Sequence, residues 1–325
     1  MAGMRAVTMR EFGPPEVLVA EEAAEPAAGP GQALIAVAFA NITFVETQFR
    51  ATGQGPFAAE LPLVLGNGVG GVVAAVGDGA DPALVGRRVV ASTGGSGGYA
   101  ERVAVDAAAL IDVPDGLALD AAVALLADGR TATMLVRAAG VRAGDRVLVE
   151  AAAGGVGTLL VQLARAAGAT VIAAAGGARK VALARELGAD LAVDYLAPEW
   201  TAEVREAVGG VDVVLDGVGG AIARAAFGLL AEGGRLLSFG AAGGRWAEVS
   251  EDEAARRGVT LMRTRRPTPE SSRALTASAL AEAAAGRLRP VIGQRFALDD
   301  AAAAHAAIGS RATVGKTLLE VATPS

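Results

Sequence analysis

The chain has 325 residues, a length that suggests about two domains and allows a large core. Hydrophobic residues make up 52% of it but aromatics only 4%, so the core must be built from Ala, Val and Leu. A net charge of −6 without a basic block argues against nucleic acid or an anionic membrane as partner, and the lack of cysteine excludes a disulfide framework or a cysteine zinc site.

Met1–Arg10 lacks the apolar core of a signal peptide. The longest uncharged stretch, Pro26–Val45, is interrupted by prolines, glycines, Gln32 and Asn41, so no membrane span is expected and the cytoplasm is the expected location. Residues 1 to about 115 are β-rich in pattern. Short alternating or apolar runs occupy Met4–Glu11, Val17–Glu22 and Gln32–Ala40, separated by Pro14-Pro15 and Pro26–Gly31. A brief helix is predicted over Thr43–Arg50, then strands over Gly68–Val76, Arg87–Ser92 and Tyr99–Val105. Many short strands without a helical period predict a compact barrel-like domain.

From Leu119 the pattern alternates between helix and strand. Helices are predicted over Leu119–Ala127 and Thr131–Ala139, and strands over Arg146–Ala151, Thr170–Ala175, Leu191–Asp194, Val211–Asp216, Arg235–Phe239 and Val259–Arg263. Valine-rich strands alternating with helices make a parallel sheet covered on both faces. Past Pro267 come a helix at Ser271–Ala285, an apolar run at Val291–Leu298 and a helix at Ala301–Ile308. A last strand, Lys316–Val321, is expected to return to the first domain.

The centre of this pattern is Val147–Gly157, an apolar run ending in Ala-Ala-Ala-Gly-Gly-Val-Gly and followed by a helical stretch, Thr158–Ala167. Strand, tight turn and helix form the first unit of a dinucleotide-binding fold. Ala152, Gly154 and Gly157 hold the three small-residue positions of the fingerprint, and Gly154 lets backbone amides approach a pyrophosphate at the positive helix end. An NAD site would place an acid about twenty residues beyond this motif, to hold the ribose hydroxyls. No acidic residue occurs between Glu150 and Glu186; Gly176-Gly177-Ala178-Arg179-Lys180 stands there instead, where cations attract a 2′-phosphate. The plainer reading makes Arg179 and Lys180 the solvated first turn of a helix, but cations are disfavoured at that end. Lysine is also rare in this chain, at Lys180 and Lys316 only. The expected cofactor is NADPH.

With these residues in place, the chain resembles the zinc-independent quinone oxidoreductases, the zeta-crystallin-like group of the medium-chain dehydrogenase/reductase superfamily. The resemblance runs from end to end. It is carried by the glycine turn, Asp216–Gly219, Ser238-Phe239-Gly240, Phe44–Arg50 and the tail Ala304-His305, Ser310-Arg311-Ala312 and Gly315-Lys316. It implies a Rossmann-type doubly wound parallel sheet domain over 122–265, joined to a β-rich GroES-like barrel domain over 1–121 and 266–325. It further implies NADPH in the cleft between domains, with the pyrophosphate on Gly154, Gly155, Val156 and Gly157, and Gly177, Lys180 and Tyr195 near the adenosine phosphate. Val218, Phe239 and Gly240 would line the nucleotide path, and Arg265 and Lys316 would complete the site, although Lys316 also reads as an exposed edge-strand charge.

Three departures from the family pattern bear on the acceptor side. Asp128-Gly129-Arg130-Thr131 stands for Lys-Gly-Leu-Thr, which keeps Thr131 for the nicotinamide. Asn-x-x-Asp-x-Tyr becomes Thr43-Phe44-Val45-Glu46-Thr47-Gln48, with Asn41 two residues earlier on the same strand face if the strand extends that far. Gly-x-Glu becomes Gly66-Asn67-Gly68 and loses a carboxylate. The candidate catalytic residues are therefore Asn41, Thr43, Gln48 and Thr131, with Phe44 or Phe49 offering a face to stack a flat ring. The lone histidine, His305, and Tyr99 are expected to be packing residues, and no metal site is expected.

The implied activity is reduction of quinones or related conjugated carbonyls by NADPH, in which a reduced quinone can take its proton from water and no dedicated acid is required. The alternatives are an enoyl-thioester or alkenal reductase, for which Arg263, Arg265 and Arg266 offer a basic rim, and a non-catalytic NADPH-binding protein. A homodimer is expected through the unpartnered strand Val259–Arg263.

Overall fold

The structure is a computed structural model that describes residues 3–57, 60–264 and 266–321. The chain divides into two compact units, Met1–Ala127 with Thr276–Ser325, and Asp128–Leu275. Among the described residues no helix is long and apolar enough to cross a membrane.

The first unit opens with strands β1 (Gly3–Met9), β2 (Leu18–Ala24) and the long β3 (Gln32–Ile42). Helix α1 (Phe44–Thr52) follows, started by a capping box between Thr43 and Glu46 and stopped by Gly53 at a φ of 71°. Then come β4 (Leu63–Val64), β5 (Gly68–Val76), β6 (Arg88–Ser92), β7 (Arg102–Asp106), β8 (Ile111–Asp112) and helix α2 (Leu119–Ala138), whose residues from Asp128 on belong to the second unit. The sequence predicts two helices where α2 is one, because Asp128-Gly129 reads as a turn. A helix-interior glycine costs only about 1 kcal/mol, and buried Val123, Leu125, Ala132 and Leu135 on both sides outweigh that.

The second unit carries β9 (Arg146–Glu150), α3 (Gly155–Ala166), β10 (Thr170–Ala175), α4 (Ala178–Glu186), β11 (Leu191–Asp194) and α5 (Trp200–Val208). It continues with β12 (Val211–Asp216), α6 (Gly220–Phe227), β13 (Leu230–Ser238), α7 (Glu251–Arg256) and β14 (Thr260–Met262). Helix α8 (Pro269–Ala284) returns the chain to the first unit at Thr276, which it completes with β15 (Ile292–Ala297), α9 (Ala301–Gly309) and β16 (Lys316–Glu320).

All six strands of the second unit are parallel, in the order β11-β10-β9-β12-β13-β14. That is the doubly wound order, with its switch point between β9 and β12. Its core is aliphatic with two large rings, Leu148, Ile172, Val193, Val214, Trp200 and Phe227 among them. β14 ends the sheet.

In the first unit β3 is the shared strand. Its N-terminal half pairs with β7, its C-terminal half with β16, and β5 runs along the other edge, in a sheet ordered β15-β16-β3-β5-β6-β8. A smaller sheet, β2-β1-β4, joins it through isolated bridges at Ala6–Ala100 and Leu65–Ser96. The core between them holds Met9, Ile35, Phe49, Tyr99 and Leu319. β16 is thus an interior strand, and the reading of Lys316 as an exposed edge charge is overturned: it is 4% exposed.

Candidate functional site

In the second unit the sequence-predicted nucleotide residues gather at one edge of the sheet, where the strands end. β9 gives way at Ala151, which takes a φ of 47°, and Gly154 N–H bonds back to the Ala151 carbonyl at 2.8 Å. Gly154 caps α3 without a side chain, so the amides of the first turn face outward. A Cβ on Gly157 would collide with the Ala151 carbonyl oxygen, which makes this glycine a condition of the tight turn. Gly155 and Val156 lie half-exposed on that first turn. Such a turn at a helix N-terminus suits a pyrophosphate.

The next strand, β10, ends at Gly176-Gly177, and Gly177 has a φ of 90°. Tyr195 packs over this turn, with its ring 3.0 Å from where a Cβ on Gly176 would stand. Asp194, the acid nearest in sequence to this tyrosine, accepts the N–H groups of Gly177 at 3.0 Å and Leu196 at 2.9 Å. Its charge is spent on backbone donors. Lys180 is half-buried and Arg179 exposed in the first turn of α4, which carries no acid. Two cations beside a positive helix end make the local field suit an added phosphate.

Beyond β12 the segment Gly217–Gly219 packs on the end of β13. Val218 is 2% exposed, a Cβ on Gly217 would stand 2.8 Å from the Phe239 ring, and one on Gly240 would stand 2.8 Å from the Gly217 carbonyl. Phe239 and Gly240 thus pack against the segment that holds Val218. Arg265 lies outside the described residues.

The acceptor-side residues fall in different units. Thr131 belongs to the second, half-buried within α2 rather than at a helix start. Asn41, Thr43, Gln48 and Lys316 belong to the first. β3 ends at Ile42, one residue short of Thr43, which is extended but serves as the N-cap of α1, so Asn41 and Thr43 do not share one strand. The Asn41 side chain is fully buried and neither its Nδ2 nor its Oδ1 has a hydrogen-bond partner. Gln48 is exposed on α1. Phe44 is 38% exposed, whereas Phe49 is buried in edge-to-face contact with Phe12 and Phe57. Only Phe44 of that pair retains a free ring face.

Beneath Thr43 lies a buried polar chain that the sequence analysis did not find. Glu46 Oε2 accepts the Thr43 N–H and hydroxyl at 2.7 Å each, and Glu46 Oε1 accepts the Tyr99 hydroxyl at 3.4 Å. The Tyr99 hydroxyl also stands 3.0 Å from His305 Nε2. Burial raises the Glu46 pKa against the opposing pull of Thr43 and Lys316, and raises that of Tyr99 well above its usual value. Burial, aided by Arg50, drops His305 to about 3, so the imidazole is neutral. His305 and Tyr99 are core residues, as expected from the sequence. The signal for Glu46 was its place three residues after Thr43, a capping-box spacing.

Two family models match the chain: alcohol dehydrogenase GroES-like domain over residues 29–115, and zinc-binding dehydrogenase over residues 155–282. The quinone oxidoreductase of Pseudomonas aeruginosa is 33% identical over 317 residues, covering 95% of this chain and 97% of that protein. The 2-haloacrylate reductase of a Burkholderia species is 33% identical over 330 residues, covering 97% and 98%. Among solved structures, Escherichia coli quinone oxidoreductase complexed with NADPH is similar with a TM-score of 0.89 and 28% identity, over 98% of this chain and 100% of that one. The residues present do not fit the zinc that one model's description names. Cysteine is absent, the single histidine is fully buried against Tyr99, and no group of three His, Cys, Asp or Glu able to hold a metal occurs among the described residues. The chain belongs to the zinc-independent quinone oxidoreductase family of the medium-chain dehydrogenase/reductase superfamily.

Proposed function

We propose that this protein is an NADPH-dependent reductase of quinones and related conjugated carbonyls. The observation that carries the cofactor is the β10–α4 turn, where Gly176-Gly177 is followed by Arg179 and Lys180 and the neighbouring Asp194 is bonded to backbone. NADPH, when bound, supplies a hydride to the conjugated acceptor. The chain's own part is to bind and orient. Gly154, Gly155, Val156 and Gly157 present amides to the pyrophosphate; Gly177, Lys180 and Tyr195 hold the adenosine phosphate; Val218, Phe239 and Gly240 line the nucleotide path. Thr131 orients the nicotinamide, and Arg265 and Lys316 add charge. On the acceptor side we assign Asn41, whose buried amide lacks a partner, with Thr43 and Gln48.

A conjugated acid is a second acceptor class. The 2-haloacrylate reductase is a relative, and Arg130 is half-buried in α2 near Asp128 and Arg266. The domain bounds we propose are 1–121 with 266–325, and 122–265. The assembly we propose is a cytoplasmic homodimer formed along the edge strand β14.

The test is a panel of quinones, enones, haloacrylates and enoyl thioesters mixed with protein and NADPH. Acceptor-dependent NADPH oxidation strongest with a quinone is expected. Tight NADPH binding with no acceptor turned over would make the protein a non-catalytic NADPH binder instead.

A further inference from the structure

Glu150 is the last residue of β9 and Asp216 the last of β12, the two strands at the switch point of the parallel sheet. Val149 pairs with Leu215, so the next two residues stand side by side with their side chains on one face. Both are fully buried. Asp216 is well served: its Oδ1 accepts the N–H groups of Val218 at 3.0 Å and Gly219 at 2.7 Å, and its Oδ2 accepts the Ser238 hydroxyl at 2.7 Å. Neither carboxyl oxygen of Glu150 has a hydrogen-bond partner.

An ionised carboxylate is costly there, beside a second acid and out of water. As a neutral acid, Glu150 has one O–H to give, and Asp216 is the adjoining acceptor. Burial first, and Asp216 second, push the Glu150 carboxyl well above the ordinary glutamate range, against a weaker opposing pull from the Val218 N–H that Asp216 already holds. Among the described residues no cation reverses this. β10 presents only uncharged residues, Thr170–Ala175. The cation of α3, Arg165, sits in its last turn; β12 and β13 otherwise carry Asp212, Glu232 and Arg235, with Asp212 paired with Arg146 and Arg235 with Asp145.

We propose that Glu150 is a positioning residue that donates its O–H to Asp216, so that the pair fixes the Val218–Gly219 turn and loss of the Glu150 proton loosens it. The inference rests on the NADPH reading for its consequence, since that turn lies on the proposed nucleotide path. It adds a pH limit: NADPH affinity and the stability of the ligand-free fold both decline as pH rises through the Glu150 pKa. The sign follows from linkage, because a carboxyl whose pKa is raised by folding stabilises the fold below its unfolded value and loses that contribution above its folded one.

The experiment compares wild type with Glu150→Gln, which keeps a donor and cannot ionise, and with Glu150→Met, which has neither donor nor charge. NADPH binding is followed by fluorescence from about pH 7 to about pH 10, and the thermal midpoint of each ligand-free protein over the same range. Wild-type affinity is expected to fall by up to about tenfold per pH unit above the Glu150 pKa, the limit for one coupled proton, while both variants stay flat by comparison. At the low end of the range Glu150→Met should bind NADPH less tightly than Glu150→Gln. Superimposable pH profiles for wild type and a folded variant, in binding and in thermal midpoint, would overturn the proposal, as would equal affinity of the Met and Gln variants. A ligand-free midpoint that diverges with pH in proteins that bind no NADPH would support the carboxyl pair and remove the NADPH reading instead.

Discussion

Glu46 Oε1 accepts the backbone N–H of Asn67 at 2.9 Å, tying the first turn of α1 to the turn that leads into β5. The sequence loses a carboxylate at Gly66-Asn67-Gly68 relative to its family, and the structure brings one to that turn from α1. With the two bonds from Thr43 and the longer one from the Tyr99 hydroxyl, four donors depend on this one buried side chain.

Glu46→Ala should therefore destabilise the protein by about 2–5 kcal/mol, because removing a buried acceptor leaves its donors unpaid. Denaturant unfolding measures it, and Glu46→Gln should fall between the variant and wild type. A loss below about 0.5 kcal/mol would mean that solvent replaces those bonds.

His305 sets an acid limit. Its pKa falls from an ordinary 6.5 to about 3 in the fold, so the unfolded chain binds the extra proton, and stability is lost as pH falls below the unfolded value. The loss should reach roughly 2 kcal/mol at pH 5. Unfolding midpoints across this range should converge for wild type and His305→Gln as pH falls; a constant gap between them would show that the histidine does not titrate on unfolding.

Lys180→Ala should weaken NADPH binding about tenfold or more while NADH binding barely changes, since a charge-assisted phosphate contact contributes on the order of 1.5–3 kcal/mol. Titration with both nucleotides decides this. Equal losses would take the 2′-phosphate away from α4.

Thr131→Val should lower turnover with little change in NADPH affinity, because orientation rather than affinity is what the hydroxyl contributes. Gln48→Ala, at an exposed position on α1, should shift acceptor preference more than turnover with the best acceptor. Steady-state kinetics on two acceptors would expose the opposite pattern, and wild-type behaviour in the double variant would remove both residues from the site.

Extended chelation should leave turnover intact, as no zinc ligand set exists among the described residues. A stoichiometric zinc whose removal stops turnover would contradict the family assignment.

Strand–helix alternation made the second unit legible almost element by element, because valine-rich runs and glycine turns are local signals. Where reading failed, tertiary contacts decided. The Asp128-Gly129 turn signal lost to apolar burial along α2, and β13 begins at Leu230 rather than Arg235 because its first residue pairs with Val211 across a register shift. The nucleotide turns were visible as glycines at fixed spacing. The burial of Glu46, Glu150 and Asp216 was not, since a buried acid looks in sequence like any charged residue until its neighbours are known, although Glu46 stands at capping-box spacing and Asp216 opens a family motif. Lys316 needed strand order: nothing in Gly315-Lys316 tells that β15 and β3 flank it.

The interior position of β16 has a consequence for how the protein is made. A ribosome delivers β16 roughly 15 to 55 s after β3 at ordinary elongation rates. Until then the edge of β3 at Phe39–Ile42 has no partner strand, while β9–β14 emerge in one uninterrupted stretch. The second unit can therefore close during synthesis, and the first, although begun earlier, must wait with an apolar strand edge open to other chains.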